Sequence, residues 1–84
     1  MHAMFVMLRV APGHLYEVAD RIASLEVASE MYSIVGDYDL LLKVYVEDLK
    51  ELGQVVTEHL HNIPHIRETK TIVTFATFKL SSAR

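Results

Sequence analysis

The sequence has no cysteine and no tryptophan, and only 3 glycines and 2 prolines among its 84 residues. Without cysteine the chain can form neither disulfides nor thiolate metal sites, and it has no thiol nucleophile. A glycine-rich phosphate loop is also missing, and the spacing of serines, histidines and acids indicates no catalytic triad. These absences predict a protein that is not an enzyme and that needs no cofactor.

Clusters of basic charge and long hydrophobic runs are scarce as well. There are 8 basic and 11 acidic residues, the formal net charge is -3, and no two lysines or arginines are adjacent. Such a chain has little with which to bind a phosphate backbone, so direct contact with nucleic acid is not expected. The apolar opening Met1 to Val10 is too short to span a membrane and contains Arg9, which predicts a cytoplasmic protein without a membrane contact.

Hydrophobic residues, in contrast, make up 51% of the chain. This composition predicts one folded domain over residues 1–84, and the length leaves no room for a second. A domain of this size buries only about 60% of the surface of its extended chain, so it is marginally stable alone. Because disulfides and thiolate sites are excluded, association between subunits is the expected source of further stability.

Alternating and helically spaced apolar residues predict the order strand, helix, strand, strand, helix, strand, followed by a polar tail. The predicted elements are Met4 to Val10, His14 to Leu25, Val27 to Val35, Tyr38 to Val46, Asp48 to Ile63 and His65 to Leu80, and the tail is Ser81 to Arg84. The βαββαβ order is typical of the ferredoxin-like α+β fold, in which a four-stranded antiparallel sheet carries two helices on one face.

The face of the predicted sheet away from the helices is also apolar. It carries Phe5, Met7, Leu41, Tyr45, Val73 and Phe75. An exposed apolar face of this kind marks an interface, and two such sheets packed face to face would form a dimeric α/β barrel-like sandwich. The predicted last strand is far longer than the usual strand of about 5 to 6 residues, so we expect part of it to pair outside its own sheet.

Three of the 5 histidines, His59, His61 and His65, lie close together in the sequence. On a helix the first two point to different sides, and Pro64 interrupts the helix before the third. The spacing therefore predicts no metal site.

The segment Val35 to Asp39 allows two interpretations. In the first it is a plain turn, in which Gly36 supplies a positive φ, Asp37 closes the turn and Asp39 begins a strand. In the second it holds a free amino acid: Asp39 accepts from the ammonium group, the amides around Gly36 donate to the carboxylate, and the Tyr38 ring contacts the side chain. The spacing of these residues leaves both interpretations open.

The start of the last strand offers further polar groups for such a site. By alternation, Arg67, Thr69 and Thr71 share one face of the strand, which places a guanidinium and two hydroxyl groups on the same side. We expect this part of the strand to lie opposite the hairpin.

Three segments together resemble the effector-binding domain of the Lrp/AsnC family, also called the RAM domain. They are Ile34-Val35-Gly36-Asp37-Tyr38-Asp39-Leu40-Leu41-Leu42-Lys43-Val44, Asp48-Leu49-Lys50-Glu51-Leu52 and Ile63-Pro64-His65-Ile66-Arg67-Glu68-Thr69-Lys70-Thr71. The resemblance extends from about Phe5 to Phe78. Full-length members carry a helix-turn-helix before this domain, so the chain resembles a stand-alone form.

The resemblance implies dimers that assemble into rings such as octamers, with small effectors, typically amino acids, held between neighbouring dimers. It also implies roles for individual residues. Gly36, Asp37, Tyr38 and Asp39 match the effector loop of the family, while Arg67, Thr69 and Thr71 fall where the last strand completes the pocket.

Three functional hypotheses follow. The first is a non-enzymatic module for amino-acid sensing and oligomerisation in Lrp/AsnC-type transcriptional regulation. The second is a partner that co-assembles with full-length regulators without any ligand. The third is a small dimeric α/β-barrel enzyme of the monooxygenase type, which disagrees with the aliphatic residues Val6, Leu8 and Leu40 on the helix-facing side of the sheet.

Overall fold

Alternating apolar residues form the two central strands of the molecule. In the computed structural model, which describes residues 2–76 and 78–80, these strands are β1 (His2–Val10) and β3 (Leu40–Val46). They pair antiparallel, with Val6 opposite Leu42 and Met4 opposite Val44. Because directly opposed residues lie on the same face, the even-numbered residues of both strands form one continuous apolar surface.

Two outer strands complete the sheet. The short strand β2 (Glu30–Ser33) pairs with β3, and the last strand β4 (Ile66–Val73) pairs with β1. The strand order is β2-β3-β1-β4, and every neighbouring pair is antiparallel. This arrangement confirms the predicted ferredoxin-like α+β fold.

Two helical segments follow β1 and β3. The first is α1 (Leu15–Leu25). The second begins as α2 (Leu49–Gln54), continues as a π-helical turn over Val55–His59 and ends as a 3₁₀ turn over Leu60–Asn62. Its extent agrees with the predicted helix, but only its first part is α-helical.

Local sequence explains both the start of the second helical segment and its irregular course. The amide of Glu51 donates to Asp48 Oδ1 over 3.2 Å, and the amide of Asp48 donates to Glu51 Oε1 over 3.4 Å, which forms a capping box. Gly53 and the β-branched pair Val55 and Val56 then lower the helix propensity. The regular i to i-4 hydrogen bonding is lost at this point.

The core lies between one face of the sheet and the two helical segments. It consists of aliphatic residues, namely Met4, Val6, Leu8, Val10, Val18, Ile22, Leu40, Leu42, Val44, Val46, Leu60 and Ile63. Side chains from α1 and from the 3₁₀ end of the second segment thus contact the same sheet face, as predicted. No polar or charged side chain is buried in the part of the chain that the structure describes.

The last strand is much shorter than predicted. It ends at Val73, which pairs with Met4 near the start of β1, and Thr74 Oγ1 then donates to the carbonyl of Ala3 over 2.5 Å. β1 continues beyond this point to Ala3 and His2, but the Ala3 carbonyl accepts from the Thr74 hydroxyl, and the backbone pairing with β4 ends here. Within one chain the predicted strand does not continue to Leu80, and the exposed Phe75 and Leu80 lie outside the sheet. The expectation that this part pairs outside its own sheet stays a prediction.

The outer face of the sheet also differs from the prediction at two positions: Phe75 lies outside the sheet, and Val73 takes the other face. Val73 lies on the helix-facing side because it is opposite Met4, and Ile72, opposite Phe5, takes the outer position. Phe5 and Met7 are half-buried on this face, and Ile72 is 41% exposed. The outer face therefore remains apolar, with Ile72 in place of Val73.

The hairpin strands differ from the prediction in length, and part of the predicted chain lies outside the described residues. The strands flanking the hairpin are shorter than predicted, which leaves residues 34–39 as a loop. The predicted tail Ser81 to Arg84 lies outside the described residues, as do the side chains of Leu49 and Leu52. Among the described helices, none is long and apolar enough to cross a membrane.

Candidate functional site

The loop between β2 and β3 is fastened to the end of β1 by Asp39. The amide of Asp39 donates to the carbonyl of Leu8 over 2.8 Å, and the amide of Val10 donates to Asp39 Oδ2, also over 2.8 Å. The loop itself is closed by the amide of Ile34, which donates to the carbonyl of Asp39 over 3.0 Å. Asp39 thus has a structural role at the start of β3, as in the turn interpretation. One of its carboxylate oxygens already accepts the hydrogen bond from Val10.

The tip of the loop is exposed. Gly36 has a φ of +138°, a conformation that favours glycine, and apart from its two chain neighbours no described residue has an atom within 4 Å of the position that a Cβ would take. Asp37 beside it is also exposed. The predicted positive φ at Gly36 is confirmed, and the tip is open to contact with another molecule.

Tyr38 reaches across β1 to β4. Its hydroxyl donates to Glu68 Oε2 over 3.1 Å, while Arg9 Nε lies 3.0 Å from Glu68 Oε1. The Arg9 guanidinium carbon stands 5.2 Å from the centre of the Tyr38 ring, which allows a cation-π contact. The expectation that the hairpin lies opposite the start of the last strand is therefore confirmed for Tyr38.

The surroundings of Tyr38 change its acidity. Partial desolvation is the main cause that raises the pKa of Tyr38, the hydrogen bond with Glu68 and its negative charge raise it further, and Arg9 opposes them. The phenol therefore keeps its proton to a higher pH than an ordinary tyrosine does. The sequence interpretation missed Glu68 and Arg9, because they meet only through the pairing of β1 with β4.

Arg67 and Thr69 line a separate cavity at the β4 edge. The cavity has a volume of about 390 Å³, and its other lining residues are His61, Ile66 and Glu68. Thr69 is half-buried, while Arg67 is exposed. None of the four predicted hairpin residues lines this cavity.

The pairing register between β1 and β4 changes at Arg67, which interrupts the predicted alternation of side chains. Glu68 is opposite Arg9, but Ile66 is opposite Val10, so Arg67 is an extra residue without a partner on β1. Thr69 and Thr71, opposite Leu8 and Val6, share one face as predicted, and the placement of Arg67 on that face stays a prediction. The pairing with β1 is regular from Glu68 to Val73.

Thr71 lies apart from the other predicted site residues. It is opposite Val6 in the β1 pairing, is exposed and does not line the cavity with Arg67. No side-chain hydrogen bond from Thr71 is found among the residues that the structure describes. The structure therefore brings Tyr38 close to β4 and groups Arg67 with Thr69, but it does not gather all seven residues in one chain.

A larger, mostly apolar cavity of about 580 Å³ lies at the opposite end of the sheet. Its lining includes Met4, Val73 and Phe75, together with the charged Asp48 and Lys50. None of the predicted site residues contributes to it. Its apolar walls continue into the exposed segment after β4.

The three histidines considered in the sequence do not meet. His65 instead stacks on His14, with ring centroids 3.6 Å apart and an angle of 11° between the ring planes. Glu17 lies beside both rings, and its hydrogen bond with His14 is the main cause that lowers the pKa of this carboxyl. This cluster was missed because His14 and His65 are far apart in the sequence.

Comparisons with known proteins agree with this fold. The family model described as the Lrp/AsnC ligand binding domain matches residues 3–83. The chain is 36% identical over 78 residues to the uncharacterized HTH-type transcriptional regulator PF0250 of Pyrococcus furiosus, a match that covers 89% of this chain and 52% of that protein. The chain thus spans about half the length of the curated relatives it matches.

Two solved structures show the same architecture. TTHA0845 from Thermus thermophilus matches with a TM-score of 0.89 at 30% identity, covering 95% of this chain and all 100% of that one. AsnC of E. coli matches with a TM-score of 0.86 at 18% identity, covering 96% of this chain and 55% of that one. Since the family model spans nearly the whole sequence, the chain belongs to the Lrp/AsnC family and corresponds to the ligand-binding domain of these transcriptional regulators.

Proposed function

We propose that the domain binds a small effector, an amino acid, between subunits of a homo-oligomer, and that binding changes the stability of the assembly in transcriptional regulation. The observation that carries this proposal is that the polar groups at one end of the sheet lie in two separate places. The hairpin presents Gly36 and Asp37 at an open tip, whereas Arg67 and Thr69 line a cavity that the hairpin does not reach.

This division supports a site that is completed by a neighbouring subunit. A ligand in the cavity can contact Arg67 and Thr69 of one chain while the exposed hairpin of another chain closes over it. A ligand bound in this way favours the assembly whose interface forms its pocket. The readout of binding is then a change in oligomeric state.

The charges fit the two ends of an amino acid. Among the described residues, no carboxylate lies within 4.0 Å of the Arg67 guanidinium in an ion pair, so this group is available for the carboxylate of an effector. Asp39 uses Oδ2 for the Val10 amide, and among the described residues no hydrogen bond to its Oδ1 is found, so Oδ1 can accept from an ammonium group. Thr69 adds a hydroxyl beside Arg67.

The exposed apolar surfaces support the oligomer. Phe5, Met7 and Ile72 lie on the outer sheet face, and Phe75 and Phe78 are 102% and 82% exposed after the end of β4. Large exposed apolar patches mark protein interfaces. Two sheets packed through this face would form the dimer, and such dimers would be the units of a ring.

The first test is size-exclusion chromatography with light scattering, with and without a mixture of the twenty amino acids. We expect a larger or more stable assembly with the mixture, after which single amino acids identify the effector. Calorimetry then compares variants. Arg67→Gln and Asp39→Asn should each weaken binding at least tenfold, and Arg21→Gln, on the exposed side of α1, should leave it unchanged.

Asp39→Asn is preferred to Asp39→Ala because an asparagine oxygen can still accept from the Val10 amide. Loss of binding in Asp39→Asn then reports on charge and not on a damaged hairpin. An assembly that is indifferent to every amino acid would contradict the sensor proposal. It would favour the alternative in which the exposed apolar segment joins the chain to full-length regulators without a ligand.

A further inference from the structure

Two histidines and a glutamate from distant parts of the sequence meet at the start of α1. His14 Nδ1 is 3.1 Å from Glu17 Oε1, and His65 Nε2 is 3.7 Å from Glu17 Oε2. One ligand atom from each of the three side chains lies within 4.8 Å of the other two. The cluster belongs neither to the hairpin nor to the cavity at Arg67.

Backbone hydrogen bonds hold the cluster in place. The amide of Ala11 donates to the carbonyl of His65 over 2.9 Å, and the amide of His14 donates to the carbonyl of Ala11 over 3.1 Å. His65 has a φ of +76°, in the left-handed region that few residues with a side chain adopt. Glu17 is set by the first turn of α1, where it lies three residues after His14.

The side chains are also accessible. His14, Glu17 and His65 keep 36%, 59% and 37% of their side-chain surface exposed, so an ion can reach them from solvent. Two imidazole nitrogens and one carboxylate oxygen are a ligand set typical of zinc and other first-row divalent metals, whereas calcium and magnesium prefer oxygen ligands alone.

The distances are close to those of a coordinated ion. With bonds of about 2.0 to 2.2 Å in a tetrahedral site, neighbouring ligand atoms lie about 3.4 Å apart. Glu17 Oε1 is 3.1 Å from His14 Nδ1 and Glu17 Oε2 is 3.7 Å from His65 Nε2, so each ring nitrogen has a carboxylate oxygen near this distance, and the carboxylate turns to present one oxygen to both. The stacked rings must splay for both nitrogen lone pairs to converge, and both rings are partly open to solvent.

We propose that His14, Glu17 and His65 bind one divalent transition-metal ion of the zinc type. Three protein ligands leave one tetrahedral position open to water or to another group. The bound ion would link the start of α1 to the start of β4. It would therefore fix the segment from which Arg67 projects, two residues after His65.

The test is calorimetric titration of Zn²⁺ into untagged, metal-free protein at neutral pH, in the absence of amino acids. We expect one ion per chain. Loss of a residue that only supports a metal ligand weakens metal affinity by about tenfold or more. Loss of a ligand itself should therefore weaken the Zn²⁺ affinity by at least about tenfold. Glu17→Gln and His65→Asn are the two test variants, and asparagine is chosen because it tolerates a positive φ.

The matched control is the double variant His59→Asn and His61→Asn, which removes two exposed histidines outside the cluster. It should bind Zn²⁺ like the original chain. Nitrogen NMR of the imidazoles provides a second readout, since Zn²⁺ should shift the His14 and His65 signals and leave those of His59 and His61 in place.

Each outcome decides the proposal. The amide spectrum shows whether His65→Asn folds. If it does not, the proposal is tested by the Zn²⁺ affinity of Glu17→Gln, which changes an exposed residue, and by the imidazole shifts. Equal Zn²⁺ affinity in the original chain and in Glu17→Gln, or loss of binding in the His59 and His61 control, would overturn the site. The three side chains would then form only an ion-pair cluster.

Discussion

The Asp39 carboxylate accepts a hydrogen bond from the backbone amide of Val10 over 2.8 Å. A side chain from the hairpin thereby satisfies a donor at the end of β1, where the pairing with β4 changes register. The same residue is the proposed partner for the ammonium group of an effector. Its structural and ligand-binding roles can be separated because only one of its two oxygens contacts the amide.

Asp39→Ala should destabilise the domain by about 1 to 3 kcal/mol, because the partly buried Val10 amide loses its acceptor. Asp39→Asn should cost much less, since it keeps an oxygen at this position. Urea unfolding at a fixed protomer concentration measures both variants. Equal stability of the two variants would show that the hydrogen bond contributes little.

Glu68→Gln should lower the pKa of Tyr38. In the original chain partial desolvation raises this pKa most, and Glu68 raises it further through its hydrogen bond and charge. Without the Glu68 charge only desolvation raises the pKa of Tyr38. The positive charge of Arg9, no longer paired with a carboxylate, lowers it more strongly. NMR titration of the tyrosine ring carbons can follow Tyr38 by itself, and Tyr16, which is 83% exposed on α1, serves as an internal control.

The raised pKa of Tyr38 also sets the sign of a stability change at alkaline pH. The folded state holds the phenolic proton more tightly than the unfolded state, whose pKa is about 10. This contribution to stability is fully present below the unfolded value and is lost as pH rises through the folded value. Tyr38→Phe should therefore lose less stability than the original chain as pH rises above about 10, as measured by urea unfolding. The same loss in both chains would show that Tyr38 does not cause it.

Ile72→Glu should break the proposed face-to-face dimer. Ile72 lies opposite Phe5 on the outer sheet face, and a charge placed in an apolar interface loses its hydration without gaining a partner. Light scattering should show a shift toward the monomer. Tyr16→Glu, at a position on α1 that is 83% exposed, is the control and should assemble normally.

Leu42→Ala should destabilise the domain by about 2 to 5 kcal/mol, because Leu42 is fully buried between the sheet and the helical segments. Val35→Ala provides the contrast, since Val35 is 104% exposed in the hairpin loop. Urea unfolding of both variants checks the difference. A similar, small effect for both would mean that the core is placed wrongly.

Much of the fold could be predicted because its signals are local. Alternation along β1 and β3 indicates which side chains are buried, and the spacing of Val18 and Ile22 identifies the inner side of α1. The capping pair Asp48 and Glu51 marks the start of α2. Each of these patterns acts over a few neighbouring residues.

The end of β4 and the orientation of its side chains could not be predicted in this way. The strand stops at Val73, after which the Thr74 hydroxyl donates to the Ala3 carbonyl, and Arg67 is an extra residue between Ile66 and Glu68, the partners of Val10 and Arg9. A shift of one residue reverses the face of every following side chain. The seven candidate site residues were therefore named from the sequence, but their grouping was not.

The sequence by itself determined the order of the elements, the apolar face of each central strand and the resemblance to the Lrp/AsnC family. Only the tertiary structure decided which polar groups meet: Tyr38 with Glu68 across 30 positions, Arg9 with Glu68 across 59, and His65 with His14 and Glu17. Local periodicity follows from the geometry of the backbone, whereas these contacts depend on strand register and on the path of the loops.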